Sequence, residues 1–486
     1  MDTRTTGPEG AAGEARRSSG TLKPDALGVL GIVFFVLSAQ APLTGIAGAV
    51  PIAIALGSGP GTPAAYLAAG ALVLLFSVGY VAMSRHVVDA GAFAGYIGRG
   101  LGDTAGTGGA GVALFAYNAV QAAMYGLYGS MVSGLFARHL GWDVPWWACV
   151  LVTMAVVQLL GAAGIEMGAK VLAVFVLAEV GILLAFGVLV LLRGGGPEGL
   201  AATRTFAPSA ALGGAPGVAL MFALASMLGF EATAIYGEEA REPHKTVPRA
   251  TYLAGGVITL FFAFTTWMLV SAYGPSKAVA AAGAALAGGD AAVFVFTPIA
   301  ERLGGWTGDV LPFLLATSLF AGILAFHNSA NRYLFSLGRR RLLPGRLSRL
   351  NRRRSPAVAG AVQTAVAAVF VLPFALTGKD PVLTLFSWGS GVAVLAIMLM
   401  YFLTSVSVIV FFRRERLDDR LWHTVVAPGL GALGVTAAIW LIVSNFTTLI
   451  GGDTAAATVL AASVPVVFLV CAGLSRLPAA RAAAGD

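Results

Sequence analysis

The chain has 486 residues, of which 57% are hydrophobic and only 11% charged, with a mean hydropathy of +0.83 and a net charge of +8. Soluble domains carry about 25% charged residues, so water is excluded as the main solvent of this surface. The basic excess sits in loops between apolar runs, where membrane topology demands it, and this excludes a nucleic-acid partner.

Residues 1–24 are rich in Gly, Ser, Thr and charge, with no apolar core before a small-residue cleavage site, and read as a disordered cytoplasmic tail. A single transmembrane domain is expected over 25–475, followed by a second cytoplasmic tail, 476–486. Apolar runs fall at 26–56, 63–84, 109–137, 145–164, 167–192, 215–239, 248–273, 309–337, 356–377, 382–411, 421–445 and 454–475. Their length matches the roughly 20 residues a helix needs to cross a bilayer. They lack the apolar and polar alternation of a membrane barrel. The fold class is therefore all-α and polytopic, with twelve spans.

Placing both termini in the cytoplasm puts 24 of the 31 Lys and Arg residues inside and six outside, with Arg332 within span 8. That asymmetry favours an even number of spans. The segment 85–104, with Gly91, Gly95, Gly98, Gly100 and Gly102, is expected at the cytoplasmic surface. The external segment 274–308 contains the small-residue tract 278–287, which reads equally as a short helix over the outer mouth or as a plain loop.

Two spans are interrupted. Span 1 contains Ser38-Ala39-Gln40-Ala41-Pro42-Leu43-Thr44-Gly45, where Pro42 removes a backbone donor and Gly45 loosens the chain. Span 6 contains Ser226-Met227-Leu228-Gly229-Phe230-Glu231, a glycine beside an intramembrane carboxylate. The breaks lie five spans apart, the spacing of inverted repeats whose broken helices face each other at the midplane. Freed N–H groups around Thr44, Gly45 and Ile46 would hold a carboxylate, and carbonyls near Ser226, Met227 and Leu228 an ammonium group. Together they suit a zwitterion. A lone membrane proline, by contrast, is a simple kink.

Ionisable residues within spans need a reason. Glu179, in the middle of span 5 with no basic neighbour in sequence, is a candidate proton carrier; a structural hydrogen bond to a neighbouring helix is the alternative. Glu231 is a candidate gate or ammonium contact, or else a cap on the broken helix. Glu238 and Glu239, beside Arg241 and Lys245, read as a gating or structural ion network. Asn118, Gln121, Tyr125 and Tyr128 share one face of span 3 and either line a cavity or stitch helices together. His327, Asn328, Ser329, Asn331 and Arg332 give span 8 a polar stretch suited to an inner passage.

Cys149 and Cys471 lie inside apolar runs, so neither a disulfide framework nor a metal site is expected. There is no G-x-x-x-x-G-K-[ST] loop, no H-E-x-x-H pair and no clustered acid, base and nucleophile. No cofactor, metal or catalytic residue is expected, and no feature specifies an oligomeric state.

The broken first span, VGYVAMSRHVVDAGAFAGYIGRGLG at 78–102, GFEATAIYGEEAREPHKTVPRAT at 229–251 and FHNSANRYLFSLGR at 326–339 resemble, in this order, segments of the amino acid, polyamine and organocation (APC) superfamily of permeases. The resemblance implies a LeuT-like fold: inverted repeats over about 25–193 and 210–412, broken helices 1 and 6, and two extra helices over about 420–475. By position it implies substrate contacts at Ala41, Pro42, Leu43, Thr44 and Gly45 and at Met227, Leu228, Gly229 and Phe230, the last also a gate. Some proton-coupled members carry a lysine in span 5, where GIEMGAKVLAVFVLAEVGILL at 164–184 offers Glu179 instead. The G-S-G pattern common in the first broken helix is missing. The expected function is alternating-access transport of an amino acid or related amine across a bacterial cytoplasmic membrane, with proton coupling favoured. Sodium coupling, exchange and polyamine transport stay open, and a channel or a non-transporting sensor is the reading from another class.

Overall fold

A computed structural model describes residues 28–87, 92–164, 169–230, 233, 240–339, 343–353 and 355–476. Glu231, Glu238, Glu239 and the terminal segments 1–24 and 477–486 lie outside the described residues. The described chain is helical, with an isolated bridge between Gly196 and Gly199 and no strand among the described residues. Helices satisfy their own backbone groups, as a lipid environment requires.

The main helices are α1 (Val29–Ala39), α2 (Thr62–Ser84), α3 (Ala92–Leu101), α4 (Asp103–Leu140), α5 (Trp146–Ala162), α6 (Ala169–Leu192), α7 (Pro216–Ala225) and α8 (Pro243–Tyr273). They continue as α9 (Pro275–Ala287), α10 (Val293–Leu303), α11 (Thr307–Arg339), α12 (Ala357–Leu376), α13 (Ser387–Glu415), α14 (Ala427–Ser444) and α15 (Thr454–Leu474). Each of the twelve apolar runs overlaps a helix. Eight helices among the described residues are long and apolar enough to cross a membrane, and α5 and α7 are shorter apolar helices. Leu433 and Trp440 on α14 and Leu469 on α15 stand out from the bundle, which suits acyl chains rather than water.

α4 runs through the middle of the bundle, in contact with α3, α5, α11, α12, α13 and α15. Its small residues permit this. A Cβ on Gly108 would lie 2.8 Å from Phe468, one on Gly111 2.3 Å from Cys471, and one on Gly126 2.6 Å from the Pro381 carbonyl oxygen. Small residues let membrane helices approach until their backbones nearly touch.

The helical stretch Pro42–Ser84 spans 43 residues, too long for one crossing, and it folds back on itself. Gly57 leaves the helical region (φ −105°, ψ −124°) and Gly59 has φ +54°. The Thr62 hydroxyl then donates to the Ala53 carbonyl at 3.2 Å, although residues nine apart in a straight helix are separated by about 13 Å.

Both connecting segments contain helices. The glycine-rich 85–104 stretch contains α3, whose Phe93, Tyr96 and Ile97 share one buried face while Arg99 is exposed. That face packs on α4 and α13. In the 274–308 segment, α9 buries Ala278 and Ala282 and lies against Val50–Ile52 and Ala53–Ser58.

Candidate functional site

The first break begins at Gln40. α1 ends at Ala39, Ala41 takes a left-handed conformation (φ 45°, ψ 74°), and the helix restarts at Pro42. Proline at the first helical position loses nothing, because that N–H would have had no acceptor anyway. It also disfavours the right-handed helical region for Ala41, so the chain turns one residue before the proline. Helical geometry then continues through Gly45–Ala49, a widened π-turn, into Val50–Ile52. Such turns are frequent at functional sites.

The sequence places the open donors at Thr44, Gly45 and Ile46; two N–H groups of this turn are already engaged. The Gly45 N–H is spent on the Ala41 carbonyl at 3.2 Å. The Leu43 N–H donates to Glu179 Oε2 at 3.4 Å, and the Ser318 hydroxyl of α11 donates to the same oxygen at 3.1 Å. Glu179 is fully buried, and its Oε1 has no hydrogen-bond partner among the described residues. One carboxyl group thus ties α6 and α11 to the start of the second half-helix.

The second break comes after α7. Residues 226–230 form consecutive turns, with Gly229 at φ 103°. The Met227 carbonyl accepts from Gln40 Nε2 at 3.2 Å, a direct bridge from the first break to the second. The Ser226 hydroxyl donates to the Phe222 carbonyl at 2.9 Å and lies 3.2 Å from the Tyr66 hydroxyl. Tyr66 stacks on Phe262 of α8 at 5.4 Å with the rings 9° apart. A Cβ on Gly45 would meet that Phe262 ring at 2.6 Å and Ser226 Oγ at 3.2 Å, so only glycine lets the second half-helix of span 1 come this close.

Between the breaks lies a cavity of about 60 Å³. Its lining includes Ala41, Thr44, Gly45 and Leu228 from the expected contact set, together with Gln40, Ser226, Phe326, Phe386 and Ser390. Thr44 Oγ1 and Gln40 Oε1 are buried without partners among the described residues, two polar atoms waiting for a ligand or water. Pro42, Leu43, Met227, Gly229 and Phe230 do not line it. Phe230 packs edge-on against Phe76 (6.2 Å) and Tyr401 (5.8 Å).

The span 3 wall of the cavity is Val120, Ala123 and Met124. Asn118, Gln121 and Tyr125, expected either to line a cavity or to stitch helices together, are not among its lining residues. Gln363 of α12 donates to both Asn118 Oδ1 and Gln121 Oε1, each at 2.8 Å, and Tyr125 is buried away from the cavity. The network stitches α4 to α12. The sequence signal for it is Gln363, a lone amide in an apolar run. Gln40 and Ser226 are visible inside the break motifs, whereas nothing local marks Tyr66 or Ser318.

Two curated relatives, an uncharacterized transporter of Mycobacterium bovis and an uncharacterized transporter of Mycobacterium tuberculosis, are each 30% identical over 158 residues, or 31% of this chain and 32% of the relative. The chain's match thus spans about a third of the length of these relatives. The amino acid permease family model matches residues 32–475, which include both breaks, the cavity between them and nearly every described helix. The chain belongs to the amino acid permease family.

Proposed function

We propose that this protein is a secondary transporter that moves an amino acid or related amine across the cytoplasmic membrane by alternating access. The observation that carries this reading is the bridge from Gln40 to the Met227 carbonyl, which joins two broken helices across a buried cavity. A carrier needs such a midplane site; a simple pore does not. In this reading the chain has twelve spans with both termini cytoplasmic, and two repeats of five place the breaks opposite each other. The twelve helix-bearing apolar runs and the bias of Lys and Arg towards one side support it.

The site can hold a zwitterion without a charged side chain. The turn that starts at Pro42 offers Thr44, and the turns after α7 offer carbonyl oxygens for an ammonium group. At about 60 Å³ the cavity is far below the roughly 300 Å³ of an ordinary small-molecule pocket. Substrate entry therefore requires the half-helices to part, which is the movement alternating access supplies.

Glu179 is the coupling group in this proposal. It reports to the substrate site through the Leu43 N–H and to α11 through Ser318, so a proton gained or lost there changes what holds the second half-helix. Uptake into proteoliposomes is expected to saturate with amino acid concentration and to grow with an inward proton gradient. Equal, linear flux of unrelated solutes would sink the carrier reading.

A further inference from the structure

A second cavity of about 460 Å³, the size of an ordinary small-molecule site, opens at the end of α11 far from the arginine-rich segment after Arg339. We propose that it is an encounter site for α-amino acids with apolar side chains, held by Arg138 and Asp290 before they pass to the central cavity. The proposal rests on the transport reading above and names its substrate class.

The cavity wall carries one cation and one anion. Arg138 stands in the last turn of α4, and Asp290 in the connection between α9 and α10. The two are not within ion-pair distance of each other, and neither forms an ion pair with any other described residue. Asp290 Oδ1 accepts from the Ala292 N–H at 3.1 Å, which fixes the carboxylate and leaves its second oxygen open. The remaining surface includes Leu127, Met131, Phe296 and Val382. A guanidinium for the carboxylate, a carboxylate for the ammonium and an apolar wall for the side chain are complementary to one chemical class. An amine without a carboxylate would leave Arg138 unanswered, and a fatty acid would leave Asp290 unanswered.

The cavity also leads to the right place. Leu127 lines it and packs on Gly48, where a Cβ would lie 2.5 Å from Leu127 Cδ2 and 3.3 Å from Phe386 Cζ. Phe386 in turn lines the central cavity. Leu127 from the outer lining and Phe386 from the central lining thus meet over Gly48. Val382 and Phe386 belong to one π-turn, Pro381–Phe386, so a single short segment borders both cavities.

The test is uptake of L-leucine by the full chain in proteoliposomes, with isoamylamine and 4-methylpentanoate as competitors. Arg138→Ala and Asp290→Ala are each expected to raise KM for leucine about tenfold more than they lower the maximal rate. Arg138→Lys and Asp290→Glu should restore much of the loss, which separates a charge requirement from a folding defect. Competition by 4-methylpentanoate should weaken in Arg138→Ala and persist in Asp290→Ala, with the reverse for isoamylamine. Saturable leucine uptake with KM unchanged in both alanine variants, or a fall confined to the maximal rate, overturns the encounter site alone. Saturable uptake by the wild type of charged amino acids but not leucine overturns the substrate class. Absence of saturable uptake for any amino acid removes the transport reading and this inference with it.

Discussion

The two breaks interrupt their helices by different devices. At the first, an alanine is held at φ 45° ahead of a proline, and distant side chains fix the restarted helix: Glu179 takes the Leu43 N–H, while Gln40 reaches Met227. At the second, a glycine at φ 103° does the turning, and the turns around it meet the bundle through the Ser226 hydroxyl, 3.2 Å from that of Tyr66, and the Met227 carbonyl, which accepts from Gln40. A left-handed non-glycine residue costs about 1–2 kcal/mol, which the contacts around Ala41 must offset. Glycine incurs no such steric cost. The left-handed turn at the first break thus needs its surroundings to hold it, whereas the turn at the second rests on a glycine; in the transport proposal the second serves as the hinge and the first as the seat.

Substitutions can break or sharpen this contrast. The largest effect is expected at the hinge: Gly229→Ala forces a side chain into a region used almost only by glycine, at about 2 kcal/mol, and should lower both thermal stability in detergent and uptake rate. A variant indistinguishable from wild type would show that the turn relaxes elsewhere. At the seat, Glu179→Gln keeps an acceptor for Leu43 and Ser318 but cannot exchange a proton. Gradient-driven uptake should fall about tenfold and lose its pH dependence, while exchange of internal for external substrate survives. An unaltered pH profile would remove Glu179 from coupling.

Gln40→Ala deletes the bridge between the breaks, with an expected loss of about 1 kcal/mol, read as a several-fold weaker substrate affinity. Gln40→Glu is the sharper variant, because a carboxylate facing the Met227 carbonyl can no longer donate. The smallest effect should have the opposite sign. Ala41→Gly relieves the left-handed strain and is expected to raise stability by under about 1 kcal/mol, part of the relief being returned as unfolded-state entropy. If instead it destabilises strongly, the seat is held by the Ala41 side chain rather than by Glu179 and Gln40.

The spans are legible because lipid demands unbroken apolarity, and the breaks because proline and glycine act on their own backbone. Even so, local reading puts the first break at Pro42 and Gly45, while the turn sits at Gln40 and Ala41. The proline signals the restart rather than the interruption. α3 is obscured by its glycines, although Phe93, Tyr96 and Ile97 carry the i, i+3, i+4 spacing of a buried face. The direction of the span 3 amides is beyond local reading, since it depends on Gln363, more than 240 positions away. The partners of Glu179 are equally out of reach, at separations of 136 and 139 residues.

Those separations have a consequence for biogenesis. When span 1 enters the bilayer, the acceptor for its Leu43 N–H has not been synthesised, and the carbonyl that Gln40 needs lies 187 residues further on. At roughly 5–20 residues per second the ribosome takes about 10–40 s to supply it. For that interval the nascent first helix carries unsatisfied polar groups that pure hydrocarbon would penalise. Its transient shelter has to come from the insertion machinery or the interface, so Gln40 ties the earliest segment made to an event in the second half of synthesis.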